Sequence, residues 1–304
     1  MRVAAIDCGT NSIRLLIADI NGNNFREIYR TMEIVRLGQG VDQNKSFHPD
    51  AIARTLAAVD EFAQEISRRG VEKIRFCATS ATRDATNREL FINGVKDRLG
   101  IEPEVISGEE EAKLSFIGAT KEFAASDAPF LVVDIGGGST EFVYGSADVE
   151  FAKSVNIGCV RMTERNIHSD PPAPEEIENA RKDIQEAIAI AAAIVPITQA
   201  KTLIAVAGTA TSVAASALGL AQYDRHQIHL ARVSADQTHL VATTFARMNA
   251  EERSRIGFLH PGRADVFAAG SLVLSEILKA TGASEFIASE ADILDGIAWS
   301  LARN

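Results

Sequence analysis

Two stretches decide how this chain reads: Asp7-Cys8-Gly9-Thr10-Asn11-Ser12 and Asp134-Ile135-Gly136-Gly137-Gly138-Ser139. Their acid, first glycine and serine align at one shift, 7 to 134, 9 to 136 and 12 to 139. Each follows an apolar strand pattern, Val3–Ile6 or Phe130–Asp134, and precedes another, Ile13–Ile20 or Thr140–Tyr144. Each therefore reads as a tight strand–turn–strand with an acid at its entrance. Glycines let the backbone approach an anion, and successive N–H groups can converge on it. Gly9, Thr10, Asn11 and Ser12 are thus candidate phosphate-binding residues, and so are Gly136, Gly137, Gly138 and Ser139. An aspartate in that position repels phosphate unless a divalent cation lies between them. Asp134 and Asp7 are accordingly assigned to Mg2+ or Mn2+, with a second reading for Asp7 as an acceptor of backbone hydrogen bonds that fixes its own loop. Taken singly, either turn is equally an ordinary hairpin turn. Two in register, one per half, mark a repeat that would clamp a chain of phosphates from both sides.

Strands and helices alternate outward from these turns. Ile52, Leu56, Val59, Phe62 and Ile66 step by 4, 3, 3 and 4, predicting a helix from about Pro49 to Arg69 with Gly70 as its stop. A strand Ile74–Ala78, a helix Arg88–Leu99, a strand Glu104–Ile106 and a helix from about Glu109 to Lys121 follow. The segment from Ala124 to Pro129 reads as a break, after which the pattern restarts. A helix covers roughly Pro174–Ile194, and a strand Leu203–Ala207 runs into a glycine turn at Gly208 and another helix. The fold class is α/β in two halves, 1–125 and 126–304, with the last helix free to return to the first half.

Composition narrows the function classes. The chain has 304 residues, 46% hydrophobic and 24% charged, with a net charge of −10. That charge disfavours nucleic acid as a partner, and it makes backbone amides the main grip on any polyanion. No apolar run reaches the ~20 residues of a membrane span, and the N-terminus enters a strand without a signal-peptide pattern, so a cytoplasmic protein with no membrane partner is expected. Cys8, Cys77 and Cys159 are too few and too scattered for a disulfide framework or a zinc site.

Seven segments together resemble the exopolyphosphatase / guanosine pentaphosphate phosphohydrolase family of the actin–sugar kinase–Hsp70 superfamily. They are the two turns with their flanks, Ala5 to Arg14 and Asp134 to Glu141, then Ala78 to Asn87, Ser107 to Ala112, Gly158 to Arg161, Ala207 to Thr211, and Arg263 to Val266. The resemblance implies two actin-like, ribonuclease H-like domains around a cleft, and a metal-dependent phosphoanhydride hydrolase. It implies that glutamates at the cleft activate water, in this register Glu141 and Glu110. Glu141 is read as the general base, and Glu110 as a metal ligand or second base. The implied substrate is inorganic polyphosphate or guanosine pentaphosphate, whose terminal anhydrides are alike, and a homodimer is expected. A kinase of the same superfamily is the alternative of another class. Longer relatives continue into helical domains beyond the point where this sequence stops, so a preference for short polyphosphate is expected.

Arginines complete the expected grip. Arg83 and Arg14 are the leading candidates for phosphate contact because a guanidinium fork binds phosphate bidentately. Arg161 and Arg263 rank below them. Arg14 stands in the first copy where Glu141 stands in the second. Gly208 and Thr209 open a helix after a buried strand, a place suited to an anion. His226 and His229 form a His-x-x-His without further ligands in register, so no metal is assigned to them.

Overall fold

The computed structural model describes residues 1–302. The first part of the chain forms β1 (Arg2–Cys8), β2 (Ser12–Asn21), β3 (Asn24–Ile34), α1 (Val41–Asn44), α2 (Pro49–Arg68), β4 (Lys73–Ala78), α3 (Ser80–Asp84), α4 (Arg88–Leu99), β5 (Glu104–Val105) and α5 (Gly108–Thr120). The second forms β6 (Phe130–Ile135), β7 (Thr140–Gly145), β8 (Val149–Val155), α6 (Cys159–Asn166), α7 (Pro174–Ala192), β9 (Thr202–Val206), α8 (Ala207–Ala217), α9 (Arg225–Ile228), β10 (Arg232–Ser234), α10 (Ala235–Arg247), α11 (Ala250–Ser254), α12 (Phe267–Thr281) and β11 (Glu285–Ala288). The last helix is α13 (Ile293–Leu301). Two compact units result, residues 1–118 with 293–304, and residues 119–292.

The first unit carries a five-stranded sheet in the order β3-β2-β1-β4-β5. β1 to β3 form an antiparallel meander, and β4 and β5 join parallel to β1. The alternation of a pleated strand buries both faces. Ala4, Ile6, Cys8, Ile13, Leu15 and Ile17 meet Val59, Phe62 and Phe91 on one side. Val3, Ala5, Leu16 and Ala18 meet Leu114 of α5 and Ile293, Leu294 and Ile297 of α13 on the other. Such two-sided burial explains why β1 reads as continuously apolar. Parity then puts Asp7 and Arg14 on the α5 side of the sheet. α13 thus packs within the first unit, where Arg30 pairs with Asp295 at 2.6 Å.

The second unit repeats the scheme. Its six strands run β10-β11-β9-β6-β7-β8, with β6 to β8 antiparallel and β9 and β11 parallel to the body of the sheet. Without β10, this is the first unit's order again, a meander of three followed by parallel strands, which is the ribonuclease H-like arrangement that the resemblance implies. Leu131, Val133, Ile135 and Phe142 face a core with Ile184, Val213 and Leu274. Asp134 and Glu141 lie at opposite parity. The predicted elements are found within a few residues, whereas the short helices α1, α3 and α6 and the short strand β10 are not predicted.

Candidate active site

The first turn closes by Gly9 N–H donating to Ser12 O at 2.9 Å, and the second by Gly136 N–H donating to Ser139 O at 3.0 Å. The same hydrogen bond recurs at the same shift, as the sequence repeat requires. Thr10 points its hydroxyl to Ser80 Oγ at 3.0 Å, and Thr79 N–H donates to Cys8 O at 3.1 Å. The segment from Thr79 into α3 therefore buttresses the first turn. Asn11 O accepts from Val35 and Arg36 N–H, which ties the turn to the segment after β3.

Asp7 and Arg14 are directly opposed in the β1–β2 ladder, and Arg14 Nη2 and Nε reach Asp7 Oδ2 at 2.6 and 3.0 Å. The entrance of the first turn is thus an ion pair rather than a bare carboxylate. Asp134 and Glu141 are directly opposed in the same way in the β6–β7 ladder. Both are buried, and Ser154 Oγ donates to Glu141 Oε1 at 2.7 Å. Two carboxylates facing each other across one strand pair repel. The repeat therefore carries a charge-balanced pair in one unit and an acid pair in the other.

Three adjacent glutamates begin α5, and the structure separates them. Glu110 turns to Arg75 at 3.1 Å, beside Glu104, with its side chain 38% exposed. Glu111 is buried, with its side chain 10% exposed, and Arg83 Nη1 donates to its Oε2 and to Ile106 O, both at 2.8 Å. Burial pushes the Glu111 carboxyl up to about 7, against the pull of Arg83 and a hydrogen bond with Thr79 and with the help of Asp7. Glu111, rather than the expected Glu110, shares its surroundings with Asp7, Thr79 and Arg83. The helical phase carried the signal, because Glu111, Ser115 and Gly118 step along one buried face. Among the described residues, Arg83 makes no hydrogen bond through Nε or Nη2.

The second turn is held from beneath. Cys159 N–H donates to Gly136 O at 3.0 Å, and Val160 and Arg161 N–H donate to Gly137 O at 2.9 and 3.1 Å. Arg161 is buried and donates Nε to Gly138 O at 2.7 Å. Its observed task is to fix the turn. Gly158 admits no side chain, since a Cβ there would lie 2.6 Å from Gly138 N and closer still to the Gly137 carbonyl.

At the start of α8 the left-handed residue is Ala207, at φ +65°, whereas Gly208, which reads as the glycine turn in the sequence, has no positive φ. Gly208 serves close approach instead, because the Arg263 guanidinium occupies the space that a Cβ would take. A non-glycine residue at positive φ persists where its surroundings over-determine it, often at functional sites. Thr209 is buried beneath the same arginine-covered helix start.

Among the described residues no group of three or more His, Cys, Asp or Glu could by itself enclose a metal ion. Mg2+ typically takes one or two carboxylates, with the remaining positions filled by water and substrate phosphate. The opposed Asp134 and Glu141 fit that donor set, whereas Asp7 is engaged by Arg14. His229 accepts from Glu290 N–H at 3.1 Å and meets Glu122 at 3.3 Å, a structural role. All three cysteines are free thiols, and no helix among the described residues is long and apolar enough to cross a membrane.

Comparison with known proteins agrees with this construction. The family model for the Ppx/GppA phosphatase family matches residues 16–304. Exopolyphosphatase 2 of Mycobacterium tuberculosis is 45% identical, over 99% of this chain and 98% of that protein. A crystal structure of an exopolyphosphatase-like protein superposes with a TM-score of 0.96 at 42% identity, covering 100% of this chain and 99% of the other. The crystal structure of the Aquifex aeolicus member of the Ppx/GppA family superposes with a TM-score of 0.82 at 29% identity, covering 100% and 99%. The repeated turns, the buried glutamate of α5 and the likeness along the whole chain lead to one conclusion: the chain belongs to the Ppx/GppA phosphatase family.

Proposed function

We propose that this protein is an exopolyphosphatase, which adds water across the terminal phosphoanhydride of inorganic polyphosphate and releases orthophosphate. The observation that carries this reading is the pair of turns with the same closing hydrogen bond, each next to a buried carboxylate, in a chain similar from end to end to an exopolyphosphatase. In this reading the backbone N–H groups of residues 9–12 and 136–139 bind phosphate oxygens. The unpaired edge of Arg83 joins them, and Arg14 acts on phosphate through the neutralised Asp7. Thr209 and the Arg263-covered start of α8 are assigned to a more distal phosphate.

We assign the general base to Glu111 in place of Glu141, the base that the resemblance implies, because Glu141 directly opposes Asp134 across the ladder and its Oε1 accepts from Ser154. A base is most effective with a pKa near the working pH, and burial brings Glu111 there. Glu111 takes the proton of a water whose oxygen bonds to the terminal phosphorus. The bond from that phosphorus to the bridging oxygen breaks, and the shortened chain leaves as an oxyanion held by the backbone donors. Asp134 and Glu141 are assigned to a divalent cation, Mg2+ or Mn2+, which when bound supplies positive charge to the phosphate oxygens. Glu110 keeps a structural role with Arg75.

The test is phosphate release by the purified protein with magnesium from short polyphosphate, long polyphosphate and guanosine pentaphosphate, at equal concentrations of chain ends. Short polyphosphate is expected to be cleaved fastest, with intermediates visible as long chains shorten together. Guanosine pentaphosphate cleaved faster than both polymers would move the assignment to the nucleotide. Release that depends on an added acceptor would move it to a kinase.

A further inference from the structure

A cavity of ≈ 510 Å³ lies wholly inside the second unit, among α7, α10, α12 and the segment that leads into α7. Its size is that of small-molecule sites. Its walls divide by chemistry. Pro171, Pro172, Ile177 and Leu272 give an apolar side, and Arg181, Arg247, Lys279, His239 and Ser275 give a polar, mainly cationic one. This is unexpected on a chain of net charge −10.

The polar side is partly built and partly unsatisfied. Glu276 is buried and held by Arg181 at 3.1 Å, Gln185 at 2.8 Å and Lys279 at 2.8 Å. That network fixes Arg181 and Lys279 at the cavity and uses one negative charge. His239 Nδ1 and Ser275 Oγ are 2.8 Å apart. Arg181 Nε is buried without a hydrogen-bond partner, and Glu178 Oε2 stands 3.3 Å from it. Arg181 is thereby held between Glu178 and Glu276 at the cavity wall. Arg247 is exposed and forms no ion pair among the described residues. The three cations Arg181, Arg247 and Lys279 stand against Glu178, Glu276 and, beside His239, Asp236.

We propose that this cavity binds a small organic anion, with a phosphate or carboxylate head toward Arg181, Arg247 and the His239–Ser275 pair and an apolar body against the prolines and Leu272. The proposal is independent of the catalytic reading, since none of these residues belongs to the turns or to the carboxylates assigned above.

His239 gives a direct readout. Burial, first, and Lys279 hold it below its ordinary value, while Glu276 and Asp236 pull the other way. An anion placed beside the imidazole favours its charged form. The experiment follows the His239 ring resonances of the full chain by NMR while phenyl phosphate, benzoate or inorganic phosphate is added. Saturable movement with a rise in the His239 pKa is expected for phenyl phosphate, benzoate or both, and the stronger of the two identifies the head group. Inorganic phosphate lacks the apolar body and should bind about tenfold more weakly or worse. Arg247→Gln removes the exposed cation, and Ala246→Phe fills the cavity from α10. Each should weaken binding by about tenfold and leave phosphate release from polyphosphate unchanged. No saturable shift at about 10 mM probe, far above a millimolar dissociation constant, would overturn the proposal. So would a shift that both variants leave intact.

Discussion

Gly158→Ala tests the second turn most directly. The added Cβ would stand 2.6 Å from Gly138 N and nearer still to the Gly137 carbonyl. Both are backbone atoms of the turn, so no side-chain rotation relieves the contact. Carbon contacts settle at about 3.5–4.0 Å, so the turn must give by about 1 Å. It cannot give freely, because Cys159, Val160 and Arg161 N–H and Arg161 Nε all hold its carbonyls. Overpacking of this kind costs about 1–3 kcal/mol, a fall of roughly 3–10 °C in Tm for a unit of this size. A misplacement of about 1 Å at a reacting group costs about 10²-fold in rate. Phosphate release from short polyphosphate, normalised to the folded fraction from the melting curve, should fall by about that factor. Gly94→Ala is the control. The atoms nearest to its Cβ are those of the flexible Leu56 side chain, from 2.6 Å, so it should lower Tm and leave the rate per folded molecule intact. Full activity in Gly158→Ala, with its Tm lowered as expected, would refute the role of residues 136–139 in catalysis.

Three further outcomes are expected. Glu111→Gln should lower turnover by about two to four orders of magnitude while Glu110→Gln stays within a few-fold of the parent; the reverse pattern would give the base to Glu110. The pH profile of the rate should rise to a plateau through about 7, where burial holds Glu111, because the base acts only when deprotonated. Since Arg83 pulls that value down, Arg83→Met should move the midpoint of the rise to higher pH in whatever activity remains, and an unmoved midpoint would mean that another group sets it. Chelation should abolish phosphate release, and added magnesium or manganese should restore it. Glu141→Gln should then demand a higher metal concentration for half-maximal rate, and full activity in excess chelator would remove the cation from the assignment of Asp134 and Glu141.

Much of this protein was legible before any coordinates. The shift that carries Asp7, Gly9 and Ser12 onto Asp134, Gly136 and Ser139 already implied two copies of one unit. The apolar patterns on either side of each turn, Val3–Ile6 and Ile13–Ile20 in the first, already implied strand–turn–strand units. These are local periodicities of the backbone, and a linear sequence displays them directly. What stayed hidden depended on helical phase and on partners distant in sequence. Glu109, Glu110 and Glu111 are chemically identical and adjacent. Only the packing of α5 decides that Glu111 enters the interior beside Arg83 while Glu110 reaches out to Arg75. Likewise Gly208 reads as a glycine turn in the sequence, yet Ala207 carries the positive φ. Gly208 is there because Arg263, more than fifty residues on, lays its guanidinium against that backbone. Asp7 and Asp134 are equivalent in the repeat, and the residue across the ladder, Arg14 or Glu141, is what gives them different electrostatic tasks. Tertiary structure decided these points because burial and charge pairing belong to neighbours in space.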